Sequence, residues 1–145
     1  MQGPLKITEQ LSVAGQISRD EIAALAKEGF GTIINNRPDG EEPGQLTAAE
    51  ARTEAERQGL AYYYQPVTTP NISLADVGAF HHALTRATKP VLAHCRSGTR
   101  CYLLWGLSKA LYEHESPLQI VAEAAHRGYD LRTLPALVER LQAEK

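Results

Sequence analysis

The chain predicts an α/β domain with a central, mostly parallel sheet flanked by helices, and three observations predict it. Short apolar runs alternate with segments that open on helix-capping residues. The run Pro90-Val91-Leu92-Ala93-His94 is apolar without alternation, as a strand covered on both faces requires. At 145 residues the chain has the length of one domain around one core, spanning 1–145.

Strands are expected at 11–14, 31–35, 61–66 and 90–94, the last at the centre of the sheet. Ser18 with Glu21, Thr47 with Glu50 and Ser73 with Asp76 stand at capping-box or similar spacing, which predicts helices near 18–28, 47–58 and 73–87. A fourth helix opens on the polar loop after His94. Ser116-Pro117 starts a fifth, with proline at the first helical position, and Thr133 a sixth, with 127–132 as the break between them. These C-terminal helices, within 116–144, are expected to pack against the domain. Tyr62 and Tyr64 share one face of their strand, and Tyr102 and Trp105 read as core. Glu139, Arg140 and Lys145 read as the solvated side of the last helix.

Fifteen basic residues against 17 acidic ones give a net charge of −2, which supplies no general attraction to nucleic acid or to an anionic membrane. An anionic substrate must then be recognised locally. Neither a signal peptide nor a membrane-spanning run is visible, so the expected location is cytoplasmic, where a reducing medium keeps Cys95 a thiol. Two cysteines six positions apart are no disulfide framework. His81 and His82 are adjacent rather than one helical turn apart, and His114 and His126 are isolated, so neither a metal nor a cofactor is expected.

The chemistry concentrates in Cys95-Arg96-Ser97-Gly98-Thr99-Arg100, between the central strand and the fourth helix. A loop of this kind turns successive backbone N–H groups inward, and the helix N-terminus adds partial positive charge, so an anion is favoured at its centre. A cysteine in such a field has its pKa lowered, to about 3.5–7.5 in known cases. Cys95 is therefore the candidate nucleophile. Gly98 lets the backbone approach an anion, Ser97 and Thr99 offer hydroxyls, and Arg100 offers a planar fork that suits a two-oxygen anion. Arg96 points into the pocket or into solvent. The longest strand-to-helix loop, 36–46, carries Arg37-Pro38-Asp39-Gly40-Glu41-Glu42. It reads either as a lid over the same pocket or as a solvated acidic turn fixed by Pro38 and Gly40. The 67–72 loop is the other candidate wall.

Taken together, Gly15-Gln16-Ile17, the stretch Ile33 to Glu42, Pro66-Val67 and the stretch His94 to Arg100 resemble the bacterial phosphatase-like domain of β-lactamase-hydrolase-like proteins. The resemblance covers about residues 4–110. It implies a fold similar to cysteine-dependent tyrosine and dual-specificity phosphatases, a catalytic Cys95, and a His94 that helps set the loop and lower the thiol pKa. It also implies partners among persulfide-handling proteins, such as a persulfide dioxygenase or a sulfide-oxidising flavoprotein.

Two departures from the phosphatase pattern bear on the reaction. Cys95 and Arg100 enclose four residues, one fewer than in phosphatases of that fold and the same as in rhodanese-type sulfurtransferases. The missing residue removes an amide donor and about 3.3–3.6 Å of perimeter. The segment 66–71 also carries no carboxylate to protonate a leaving alkoxide, leaving Asp39 as a candidate acid and Asp76 as a helix-start residue. Sulfur transfer to Cys95 from thiosulfate or a low-molecular-weight persulfide needs no such acid and is the first expectation. Phosphoric ester hydrolysis through a phosphocysteine is the alternative. A redox-sensing or anion-binding module is the third, with Cys101 resolving an oxidised Cys95. The substrate is correspondingly a small sulfur-containing or phosphorylated compound.

Overall fold

The computed structural model describes residues 3–145. Its strands are β1 (Leu5–Lys6), β2 (Leu11–Ala14), β3 (Thr32–Asn35), β4 (Ala61–Tyr64) and β5 (Val91–His94), joined in one sheet of order β1-β2-β5-β3-β4. β1 runs antiparallel to β2, and every other pairing is parallel. β5 is central and all its residues are buried. The register aligns Ala14, His94, Asn35 and Tyr64 in one row. The loops leaving β2, β3, β4 and β5 therefore open together at the carboxyl edge, where α/β sheets bind their ligands.

The helices are α1 (Arg19–Lys27), α2 (Ala48–Arg57), α3 (Leu74–Arg86), α4 (Thr99–Tyr112), α5 (Pro117–His126) and α6 (Leu134–Ala143). Side chains set where the first three begin. The hydroxyls of Ser18, Thr47 and Ser73 accept from the N–H groups of Glu21, Glu50 and Asp76, whose carboxylates accept in return from the backbone N–H of each cap. A cap of this kind contributes about 0.5–2 kcal/mol. Helices α1 and α2 cover one face of the sheet around Ile22, Ile33, Tyr62 and Leu92. Helices α3 to α6 cover the other around Phe80, Ala93, Leu104 and Leu137. α4 is buried on every side over residues 101–108, which makes the helix that follows Cys95 the rigid axis of that layer.

The structure departs from the sequence reading in four places. β1 is an additional edge strand of two residues. β4 stops at Tyr64 rather than 66, because Pro66 has no N–H to continue the ladder. A 3-10 turn, Thr69–Asn71, interrupts the 67–72 loop. The charged side of α6 is also not simply solvated. Arg140 donates to the carbonyls of Pro70 and Ile72, and Lys145 Nζ donates to Leu111 O at 2.9 Å, because long basic side chains reach free carbonyls across a helix interface.

Candidate active site

Cys95 follows β5 directly, and Gly98 is the N-cap of α4. The turn between them is sharp: Gly98 has φ 93°, and its N–H donates to Cys95 Sγ at 3.1 Å. A Cβ at Gly98 would lie 2.9 Å from the phenol oxygen of Tyr129. The loop also needs Gly15, where a Cβ would stand 2.8 Å from Arg96 O. Across that contact Gln16 N–H donates to Arg96 O at 3.4 Å.

These contacts set the state of the sulfur. The thiol of Cys101 donates to Cys95 and has the largest effect; burial opposes it, and the N–H groups of Cys101, Ser97 and Gly98 add to it. Together they bring Cys95 down from an ordinary 9.0 to about 6, so it is a thiolate at neutral pH. Burial and the adjacent sulfur push Cys101 well up, so it stays a protonated donor. Both cysteines are free. Cys95 itself is 1% exposed, with Arg96 and Ser97 forming the exposed outside of the loop. Two surface clefts lie around Arg19 and Glu50, and a third is lined by Gln16, Arg37 and Glu42.

Arg100 closes the loop from the first turn of α4. Its Nη1 donates to Glu41 Oε2 at 2.9 Å and to Val67 O at 3.0 Å, and its Nη2 donates to Glu41 Oε1 at 2.8 Å. Glu41 belongs to the 36–46 loop and is held from behind by Arg37, whose Nε donates to Glu41 Oε1 at 3.0 Å. Arg37 is fully buried, its Nη1 donates to Gln16 Oε1 at 3.1 Å, and its Nη2 lies 3.2 Å from Glu42 Oε1 without hydrogen-bond alignment. The two guanidinium groups hold Glu41 below the ordinary carboxylate value, Arg100 having the largest effect and burial opposing. Glu41 in turn raises Arg100.

Several residues do something other than expected. Asp39 is engaged at the start of α2: its Oδ1 accepts from Ala48 N–H at 2.8 Å, and its own N–H donates to Tyr64 Oη at 2.9 Å. The 36–46 loop is thus tied down at Asp39 and Glu41 in this structure. His94 does not add positive charge to the thiol, because burial pulls its pKa to about 4 and leaves it neutral; neither ring nitrogen has a hydrogen-bond partner among the described residues. Arg96 is exposed, and its carbonyl is the group that the loop uses. The hydroxyls of Ser97 and Thr99 bond each other at 3.1 Å. Asp76 is committed to the α3 capping box. Among the described residues, no group of three or more His, Cys, Asp or Glu stands where it could hold a metal ion.

Sequence reasoning missed Glu41, Gln16 and Tyr129 as parts of this arrangement. Glu41 carried a usable signal, since a carboxylate four residues after an arginine in a long loop is a candidate partner for it. Tyr129 carried none, because it reaches Gly98 from the break between α5 and α6, far along the chain.

A thiolate at the carboxyl end of a central parallel strand, with an arginine closing its loop at the start of the next helix, defines a cysteine-dependent, phosphatase-like domain. The chain belongs to the phosphatase-like domain family of beta-lactamase hydrolase-like proteins, whose family model matches residues 5–112. A beta-lactamase hydrolase-like protein of Xylella fastidiosa (strain 9a5c) is 38% identical over 134 residues, which are 92% of this chain and 31% of that protein. The chain therefore spans less than a third of that relative's length. A candidate phosphatase from Neisseria meningitidis Z2491, solved as a crystal structure, is 37% identical with a TM-score of 0.80, over 97% of each chain. PTPMT1 in complex with PI(5)P shares the fold with a TM-score of 0.77 at 14% identity, over 97% of each chain. Family and fold are those expected, and the likenesses favour the phosphate-ester alternative over the sulfur-transfer reading placed first.

Proposed function

We propose that this domain hydrolyses phosphoric monoesters through a phosphocysteine intermediate on Cys95. The observation that carries the reading is the hydrogen bond from Gly98 N–H to Cys95 Sγ, 3.1 Å long, at the N-terminus of α4. It marks a loop whose amides face the sulfur, the lining that an attacked phosphoryl group needs. Family membership supports the same chemistry.

In the first step the thiolate attacks phosphorus, the S–P bond forms, and the ester P–O bond breaks with its electron pair leaving on oxygen. Loop N–H groups and Arg100 hold the non-bridging oxygens, where charge gathers. In the second step water attacks phosphorus, the S–P bond breaks, and the thiolate is restored as inorganic phosphate leaves. With Asp39 and Asp76 engaged at helix starts, the leaving oxygen takes its proton from water, which favours esters of acidic alcohols such as phenols.

The test is phosphate release from p-nitrophenyl phosphate by the native protein and by Cys95→Ser, beside thiocyanate formation from thiosulfate and cyanide. Phosphate release that Cys95→Ser abolishes supports the proposal; thiocyanate formation without phosphate release overturns it.

The loop length favours a second reading. With four residues between Cys95 and Arg100, the ring suits a single terminal sulfur. In that reading Cys95 takes the outer sulfur of a persulfide or thiosulfate, a second thiolate removes it, and a persulfide dioxygenase or sulfide-oxidising flavoprotein works beside this domain. One added sulfur on Cys95 after incubation with glutathione persulfide, absent from Cys95→Ser, is its signature.

A further inference from the structure

Glu41 links two arginines of unlike surroundings. Arg37 is fully buried and fixed at both ends: its N–H donates to Asn35 Oδ1 at 2.9 Å, and its Nη1 to Gln16 Oε1 at 3.1 Å. Arg100 is partly exposed at the mouth of the cysteine loop. Glu41 Oε1 accepts from both, at 3.0 Å from Arg37 Nε and 2.8 Å from Arg100 Nη2. With Val67 O on Arg100 Nη1, the set joins residues from the loops after β2, β3, β4 and β5. A single carboxylate thus bridges the two arginines, which in turn reach Gln16 after β2 and Val67 after β4.

The stereochemistry separates support from blockage. A guanidinium carries five N–H donors in a fixed plane. Arg100 spends three of them: two on the carboxylate, end-on through Nη1 and Nη2, and one on Val67 O. The two left, on Nε and on the outer side of Nη2, lie side by side along one edge and form a second complete fork for a two-oxygen anion. Glu41 therefore holds the plane of Arg100 while leaving one complete donor edge of the guanidinium unspent.

We propose that Glu41, braced by Arg37, is a positioning residue that preorganises Arg100 to receive the phosphoryl group. This deepens the phosphatase reading and rests on it. The gain is one of orientation, since a long side chain held in one rotamer no longer has to be ordered by the ligand. A carboxylate that merely competed for Arg100 would have the opposite effect on anion affinity.

The experiment compares the native protein with Glu41→Gln and Glu41→Asp. Its readouts are direct calorimetric binding of orthovanadate, kcat and KM for p-nitrophenyl phosphate, and the urea midpoint. Glu41→Gln is expected to weaken vanadate binding by about 10-fold, up to ~10²-fold if Arg100 shifts by an ångström, and to lower kcat/KM in parallel. Glu41→Asp keeps the charge and is expected to restore part of the loss at an equal or lower urea midpoint, which a purely structural role would not allow. Tighter vanadate binding by Glu41→Gln, unchanged binding, or no vanadate binding by the native protein overturns the proposal. Turnover that is intact in the native protein with vanadate affinity unmoved by Glu41→Gln defeats the positioning role alone. Vanadate binding that depends on Glu41, without turnover of any phosphate ester, defeats the phosphatase reading alone.

Discussion

Gly98 and Cys95 are bound to one another through the N–H of the first and the sulfur of the second, at 3.1 Å, with Gly98 in the left-handed region at φ 93°. The contact adds to the larger effect of Cys101 in favouring the Cys95 thiolate, and its geometry depends on a residue without Cβ.

Gly98→Ala is expected to destabilise the fold by about 1–3 kcal/mol, the range for a strained φ, because the new Cβ also meets the Tyr129 phenol. The urea midpoint measures the loss. The pH midpoint of iodoacetamide alkylation at Cys95 should rise as the N–H swings away, and an unchanged midpoint would mean that this amide does not act on the sulfur.

Stability should rise with pH from about 4 to about 9. Burial depresses His94 from 6.5 to about 4, so between those values the unfolded chain binds a proton that the folded chain refuses. Cys95, depressed from 9.0 to about 6, does the same over the next interval, so both contributions are lost as pH falls through the folded values. Each proton gives a slope of at most about 1.4 kcal/mol per pH unit. Urea midpoints across pH for the native protein, His94→Phe and Cys95→Ser check this: the first variant should flatten the lower interval and the second the upper.

Cys101 acts on Cys95 as a hydrogen-bond donor. Cys101→Ser keeps a donor and should keep the alkylation midpoint near that of the native protein, whereas Cys101→Val should raise it and move the acid limb of kcat/KM to higher pH. Equal midpoints in the two variants would assign Cys101 to packing alone.

Asp39 sits at the start of α2, where its carboxylate accepts from Ala48 N–H. Asp39→Ala should cost about 0.5–2 kcal/mol of stability. The dependence of rate on the leaving-group pKa across a series of aryl phosphates should stay as it is in the native protein. A steeper dependence in the variant would restore Asp39 as the acid.

Much of this was legible in the sequence, for local reasons. Capping pairs such as Ser18 with Glu21 act within one turn, so the first three helices were readable to one residue at each end. The unbroken apolar run around Leu92 announced the central strand, and the order cysteine, glycine, arginine announced the loop. What stayed hidden depends on contacts across long sequence separations. Arg100 meets Glu41 over 59 positions, and Tyr129 meets the Ser97 and Gly98 backbone from a break between helices. Asp39 and Glu41 lie two apart in one acidic loop with like chemistry, and only the fold decides that the first caps a helix while the second faces the arginines. The short loop and the lack of a carboxylate in 66–71 put sulfur transfer first in the sequence, whereas family membership favours phosphate chemistry.

The most direct test of the central claim is acid quenching of the native protein within its first turnover of an aryl phosphate, followed by mass analysis of the peptide that carries Cys95. The account predicts a mass gain of one phosphoryl group on Cys95, absent from Cys95→Ser and lost on longer incubation as water releases the phosphate. Steady phosphate release with no phosphoryl group on that peptide at any quench time would contradict it.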